Sequence, residues 1–304
     1  MPVKMRNYTS EPLFTPDYVK VREFLRDLNR ENLNYPGFTW SRWEWLTTHS
    51  MLDRKSLNKI GLWEDNGKIV GLATYESTLG DAYLFSANGY KALEGEMLEY
   101  SKSALIGEKG LRVIIDNNNR ELQQTASRLG FVASQEQENT AMFNIAGDLA
   151  YSLPRGYSIT SMADSWDYHK YDKVMWRGFN QEGPSPGADE DIRIRKEMLS
   201  SPTIIPEIVL AVIAPNGDYV SHCGMWYAPG DTYALVEPVA TDPDYRMKGL
   251  GKSVVLEAVK RCGQMGAKVA LVGSSQQFYY NIGFHPIHTG SWWIAAAPAQ
   301  QVIQ

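Results

Sequence analysis

The stretch VEPVATDPDYRMKGLGK, Val236 to Lys252, decides how this 304-residue chain is read. It starts as an apolar strand, turns at Pro243 and ends as a basic glycine loop running into a helix. The loop has the pattern R-x-x-G-x-G, formed by Arg246, Gly249 and Gly251, with Lys248 and Lys252 interleaved. A glycine turn that opens a helix aims unpaired N–H groups and the positive end of the helix dipole at one point, which suits a phosphate. Glycine lets the backbone approach such an anion closely, because no Cβ stands in the way. Taken alone, the six characters are equally a helix start with two turn glycines.

The neighbouring sequence narrows the choice. Leu250, Val254, Val255, Ala258, Val259 and Cys262 recur at helical spacing, and Gly266 suits the end of that helix. A short apolar strand, Lys268 to Val272, follows, and then FYYNIGF, Phe278 to Phe284. Strand, R-x-x-G-x-G loop, helix, strand and F-Y-x-x-x-G-F, in this order, resemble the GNAT superfamily of acetyl-CoA-dependent N-acetyltransferases. The matching segment runs from Tyr219 to Phe284, and a looser resemblance extends from Tyr157 to the C-terminus. These motifs are specific for the cofactor and say almost nothing about the acceptor.

The resemblance implies an α/β fold with a mixed, mostly antiparallel sheet flanked by helices. It implies that the backbone of Met247, Lys248, Gly249, Leu250, Gly251, Lys252 and Ser253 cradles the pyrophosphate of acetyl-CoA, helped by the side chains of Arg246 and Lys248. It also implies that the pantetheine arm lies along Val239, Ala240 and Thr241 almost as an added strand. Relatives carry a bulge in this strand, and Pro238 fits such a break because proline cannot donate to a regular ladder.

Acetyl transfer to an amine requires removal of a proton from the amine, stabilisation of the carbonyl oxygen and protonation of the departing thiolate. Tyr279 is the candidate acid: a phenol of ordinary pKa near ~10 stays protonated at neutral pH and can serve a thiolate of pKa about 8.5. A tyrosine here is also a common packing residue, and Tyr280 is expected to point elsewhere. The N–H of Val239 is the resemblance-based partner for the carbonyl oxygen. Glu237 is the single carboxylate on the strand entering the loop, and simple alternation puts it on the face of Leu235 and Val239. It could act as base, bind a cationic amine while water takes the proton, or form a structural ion pair. His222 and Trp226 share a face of the preceding strand, and His222 reads as structural. Asp242 and Asp244 read as shaping the turn at Pro243. No cysteine or serine is placed as a nucleophile, so direct attack is expected.

Composition bounds the rest. A hydrophobic content of 43% and a charged content of 21% are those of an ordinary globular chain. A net charge of −5 gives no support for a nucleic-acid or anionic-membrane surface. The two cysteines, Cys223 and Cys262, suggest reduced thiols in a cytoplasmic protein. The five histidines show no metal-ligand spacing, so no metal is expected. No apolar run approaches a membrane span, and no signal peptide is seen. The oligomeric state is open, a homodimer being one option.

The chain also repeats. DNGKIVGLATYES in the first half aligns with PNGDYVSHCGMWY in the second, and SRLGF with YNIGF. Two tandem GNAT-like domains, 1–150 and 151–304, are the economical reading. The first half is shorter between Asp81 and Gly110 (29 positions) than the second between Asp231 and Gly266 (35), and the deficit falls at the phosphate loop. It has Ala126 where the second half has Tyr279. The first domain therefore reads as a degenerate copy without a cofactor, and the second as the catalytic domain. Trp40, Trp43 and Trp45 read as core or interface rather than a ligand pocket. The expected activity is transfer of acetyl from acetyl-CoA to a small-molecule amine; the alternative is an acyl-CoA-binding sensor or scaffold without turnover.

Overall fold

The computed structural model describes residues 2–11, 13–30, 32–147, 149–183, 185 and 187–295. Its first half contains β1 (Lys4–Asn7), α1 (Pro16–Arg30), α2 (Trp40–Thr48), β2 (Gly61–Asp65), β3 (Lys68–Tyr75), β4 (Asp81–Ser86), α3 (Glu94–Ala104), β5 (Arg112–Asp116), α4 (Arg120–Arg128) and β6 (Phe131–Asn144). The second contains β7 (Ser158–Ser161), α5 (Tyr168–Gly178), α6 (Asp189–Met198), β8 (Leu210–Ile213), β9 (Tyr219–Trp226), β10 (Tyr233–Thr241), α7 (Leu250–Met265), β11 (Val269–Val272), α8 (Gln277–Asn281) and β12 (His285–Ala295).

The residues form two compact units. The first comprises Met1–Thr47, Met51–Asn139 and the chain from His288 onward; the second comprises Thr48–Ser50 and Thr140–Ile287. In the first unit β1, β2, β3 and β4 pair antiparallel in turn, β4 pairs parallel with β5, and β5 pairs antiparallel with β12. In the second, β7, β8, β9 and β10 pair antiparallel, β10 pairs parallel with β11, and β11 pairs antiparallel with the Ala141–Asn144 end of β6. The pairing pattern is the same in both, which is the sequence repeat expressed as topology. Each sheet is mixed and mostly antiparallel, as expected.

One feature departs from a simple tandem order. The strand that pairs with β5 is β12, from the end of the chain, and the strand that pairs with β11 is β6, from the end of the first half. Each unit thus borrows its closing strand from the other half of the sequence.

Local chemistry explains the remaining elements. The β2–β3 hairpin turns through Asn66 (φ 49°) and Gly67 (φ 79°), the left-handed pair that a two-residue hairpin needs. The tryptophan-rich segment is core: Trp40 and Trp43 are buried, and Trp43 packs edge-on to Tyr8 at 5.8 Å. In the second unit, Val254, Val255, Ala258 and Val259 of α7 bury against Leu210, Val212, Cys223, Met225 and Val236 on one face of the sheet. On the other face, Tyr171, Val174 and Met175 of α5 meet Val209, Ala211 and Ala240. No helix among the described residues is long and apolar enough to cross a membrane.

Candidate active site

The site is built where β10 and β11 part. They pair only from Tyr233↔Val269 to Leu235↔Leu271. Beyond Leu235, the edge of β10 that faces β11 makes no further strand pairing among the described residues.

A bulge accompanies the divergence. On the other edge of β10 the register shifts between Val236, opposite Met225, and Val239, opposite Cys223. The extra residue falls at Glu237-Pro238, where proline was expected to break the ladder; the peptide bond joining them is cis. The bulge corrects the alternation expected for this strand. Val236 and Val239 both pack on the α7 side, whereas Ala240 packs on the α5 side. Glu237 and Val239 are therefore not related by simple alternation, because one inserted residue inverts the faces beyond it.

Two residues on β9 hold the bulge, and neither was singled out for this role from the sequence. Trp226 donates its indole N–H to the Glu237 carbonyl at 3.1 Å. Gly224 lies so close that a Cβ there would stand 2.6 Å from the same carbonyl oxygen and 3.1 Å from Pro238 Cδ. Since the nearest atom is backbone, Gly224→Ala must displace the bulge. The expected cost is about 1–3 kcal/mol in stability, with a fall in kcat/KM; a variant that matches the parent in denaturant midpoint and turnover would refute this use of the glycine.

The glycine loop follows. Asp242 caps a short 3₁₀ turn, Pro243–Tyr245, by accepting from the Asp244 N–H. Met247 (φ 61°) and Gly249 (φ 77°) are left-handed, and α7 begins immediately after Gly249. The N–H groups of Gly249, Leu250, Gly251 and Lys252 donate to no described residue, as the first turn of a helix requires. No acidic residue occupies that first turn. Ser253 is already inside the helix, its N–H donating to the Gly249 carbonyl at 3.0 Å. Gly251 seats α7 on the end of β10: a Cβ there would meet Thr241 Oγ1 at 3.0 Å.

The loop is braced from α5. Arg177 holds Asp242 with two bonds of 2.5 and 3.0 Å and reaches Asp244 at 2.6 Å. Both carboxylates beside the loop thereby share one guanidinium. Arg246 bonds the Thr241 carbonyl (3.2 Å), the Gly178 carbonyl (3.0 Å) and Asn180 Oδ1 (2.9 Å), so its side chain ties the loop to β10 and to the end of α5. Lys248 donates to the Asp244 carbonyl and lies 4.6 Å from the centre of the Tyr245 ring. Arg177 and Gly178 are further residues that the sequence did not mark; Gly178 leaves no room for a Cβ, which would sit 2.6 Å from that of Ala240.

Tyr279, on α8, is buried and packed edge-on against Phe278 (5.0 Å) and Phe284 (5.6 Å). Burial pushes its phenol well above the ordinary range, and Cys223 and Glu237 push in the same direction. The Tyr279 phenol thus feels both the Cys223 thiol and the Glu237 carboxylate. Tyr280 is more exposed than Tyr279 and packs against the same core cluster. Burial also raises both thiols, Cys262 to about 12, so each is a protonated core residue.

His222 faces away from this group, packing edge-on against Tyr171 (4.9 Å) and Trp166 (6.0 Å) beneath α5. It is fully buried, and neither ring nitrogen completes a well-formed hydrogen bond among the described residues, the Leu210 backbone being the polar neighbour that favours its charged form. It is structural, as expected, but not satisfied. Burial lowers its pKa from 6.5 to about 3. A base depressed in the folded state supports stability fully above its unfolded pKa and withdraws that support as pH falls from about 6.5 toward about 3. His222→Leu should therefore flatten the acid side of the stability curve by about 2 kcal/mol between pH 7 and pH 5. Urea midpoints of the two proteins running parallel over that range would refute it.

Comparison with known proteins agrees with this geometry. Residues 173–284 match the acetyltransferase (GNAT) family, a segment running from α5 to the end of the F-Y-x-x-x-G-F motif. The match is thus confined to a GNAT-type acetyltransferase segment within the second unit. No curated protein matches it as a sequence relative. Among solved structures, it is similar to a tandem GNAT protein from the clavulanic acid biosynthesis pathway, with a TM-score of 0.63 at 12% identity over 98% of this chain and 100% of that one. It is also similar to a GCN5-related N-acetyltransferase from Sphaerobacter thermophilus, with a TM-score of 0.61 at 13% identity over 96% and 94%. The N-myristoyltransferase of Saccharomyces cerevisiae has a TM-score of 0.55 at 10% identity over 97% and 82%. At these identities the likeness is one of fold, and in the first case the tandem arrangement is part of it.

Proposed function

We propose that the protein is an N-acetyltransferase that moves an acetyl group from acetyl-CoA to a small-molecule amine by direct attack. The observation that carries this reading is the pairing of an undonated row of N–H groups, Gly249 to Lys252, with a buried phenol beside a splayed, bulged strand. Those N–H groups, with Met247 and Ser253 flanking them, suit a pyrophosphate. Lys248 and Lys252 add positive charge, and Arg246 acts mainly by bracing the loop. The unpaired edge of β10 along Val239, Ala240 and Thr241 can take a pantetheine amide as a strand would.

In this reading Tyr279 donates its proton to the leaving thiolate as the C–S bond breaks and the amine nitrogen bonds the carbonyl carbon. Glu237 holds the incoming amine and receives its proton, directly or through water. The Val239 N–H supports the carbonyl oxygen. No covalent enzyme intermediate is involved, because the two thiols are buried and protonated. The same thiols fit a reducing, cytoplasmic setting. The half spanning 1–150 serves as a degenerate copy: the first turn of α3 carries Glu94 and Glu96, whereas that of α7 carries no acid.

Release of free thiol from acetyl-CoA across a panel of amines tests the proposal. Amine-dependent release is expected. Tight CoA binding with no release for any amine would favour a sensor or scaffold instead.

A further inference from the structure

The first unit contains the counterpart of the acyl-CoA slot, but with its electrostatics reversed. β4 pairs with β5 only at Asp81↔Arg112 and Ala82↔Val113. Beyond these residues the strands part, as β10 and β11 do. A cavity of about 60 Å³ lies in the gap, and Tyr35, Phe38, Phe85, Glu94, Asp116 and Glu138 are among its walls. Among the described residues, His288 is the one basic residue in its wall.

The three carboxylates are not equivalent. Glu138 is held by Arg42 at 2.9 Å, and Arg42 also pairs with Glu76. Asp116 faces His288 Nε2 at 3.4 Å. Glu94 is 6% exposed and accepts from two neutral donors, Ser86 Oγ at 2.8 Å and Asn119 Nδ2 at 3.3 Å; no cation pairs with it among the described residues. It stands in the first turn of α3, whose dipole is worth about 0.3–1 kcal/mol to an anion. Glu94 is thus the wall carboxylate whose donors are neutral, where Glu138 and Asp116 face Arg42 and His288.

The aromatic walls favour the same kind of visitor. Arg42 already lies over Phe38 (5.2 Å) and Tyr83 (5.1 Å), so those faces hold a resident cation. Tyr35 and Phe85, edge-on at 5.3 Å, are the rings left for another. A water needs about 10–15 Å³ of such volume, so the space takes a head group of a few heavy atoms and excludes a nucleotide cofactor.

We propose that this cavity binds the ammonium head of a small amine, with Glu94 as its counter-ion. The degenerate half has then exchanged an anion cradle for a cation site: the carboxylate at the start of α3 repels a pyrophosphate and attracts an amine. The site lies wholly within the first unit and does not depend on the transfer reaction.

Calorimetry on the full chain tests it with propylammonium chloride and, as a neutral match, 1-propanol. Propylammonium should saturate and propanol should not. Glu94→Gln should weaken propylammonium binding at least about tenfold and leave CoA affinity unchanged. Glu237→Gln, in the second unit, should leave propylammonium binding at the first-unit site intact. The proposal falls if propanol binds as well as propylammonium, if neither binds, or if Glu237→Gln removes the binding while Glu94→Gln does not. Should Glu94→Gln fail to fold by circular dichroism, Phe85→Leu supplies the second variant. It removes a ring face and is expected to weaken propylammonium binding; an unchanged affinity would overturn the aromatic part of the site, and the propanol comparison on the parent protein decides the charge part.

Discussion

Tyr279→Phe is expected to lower kcat about 100-fold or more while leaving CoA affinity within about twofold, because general acid catalysis is typically worth 10²–10⁴. The substitution is clean in this setting. The ring is held edge-on by Phe278 and Phe284, and phenylalanine keeps those contacts while losing only the hydroxyl. Burial raises the phenol above its ordinary range, with Cys223 and Glu237 adding to it. A raised acid stays protonated to higher pH, so in the parent enzyme the donor persists through pH 9, and no alkaline loss of kcat below that point should arise from Tyr279. Steady-state kinetics at saturating substrates, from pH 6 to 9, check both statements. An unaltered kcat in the variant would remove Tyr279 from the chemistry and leave it as packing.

Gly249→Val should weaken CoA binding by about 30-fold or more. The reason is conformational and not a matter of room, since a Cβ at Gly249 would meet nothing within 4 Å. The residue has φ 77°, where an L side chain costs about 1–2 kcal/mol and a β-branched one more. Relief of that strain turns the loop just where α7 begins, so the N–H groups of Gly249 to Lys252 no longer converge. Two kcal/mol corresponds to about 30-fold in affinity. Titration of CoA by calorimetry, with the fold checked by circular dichroism, measures it. Retained affinity in a folded variant would mean that the anion sits elsewhere.

Much of the second unit was legible in the chain before any coordinates. The glycine loop, the helix behind it and the F-Y-x-x-x-G-F segment are local patterns in which neighbouring residues determine backbone shape. The same holds for the Asn66-Gly67 hairpin and for the proline that marks the break in β10. Glu237 was legible as a residue but not in its direction. Alternation assumes an unbroken strand, and the inserted residue between Val236 and Val239 inverts every face that follows. His222 could be assigned a structural role, yet its missing partners could not be foreseen, because they depend on what α5 lays over it.

The repeat, and a glycine loop present in one copy and missing from the other, can be read along the chain because they are properties of contiguous residues. Folding was needed to show that β12 pairs with β5 and β6 with β11, that Arg177 restrains the two aspartates beside the loop, and that Gly224 makes room for the bulge. Each of these joins residues far apart in the chain. Which strand edge or carboxylate a residue meets is set by packing the whole, and the periodicity of a single segment carries no record of its partner.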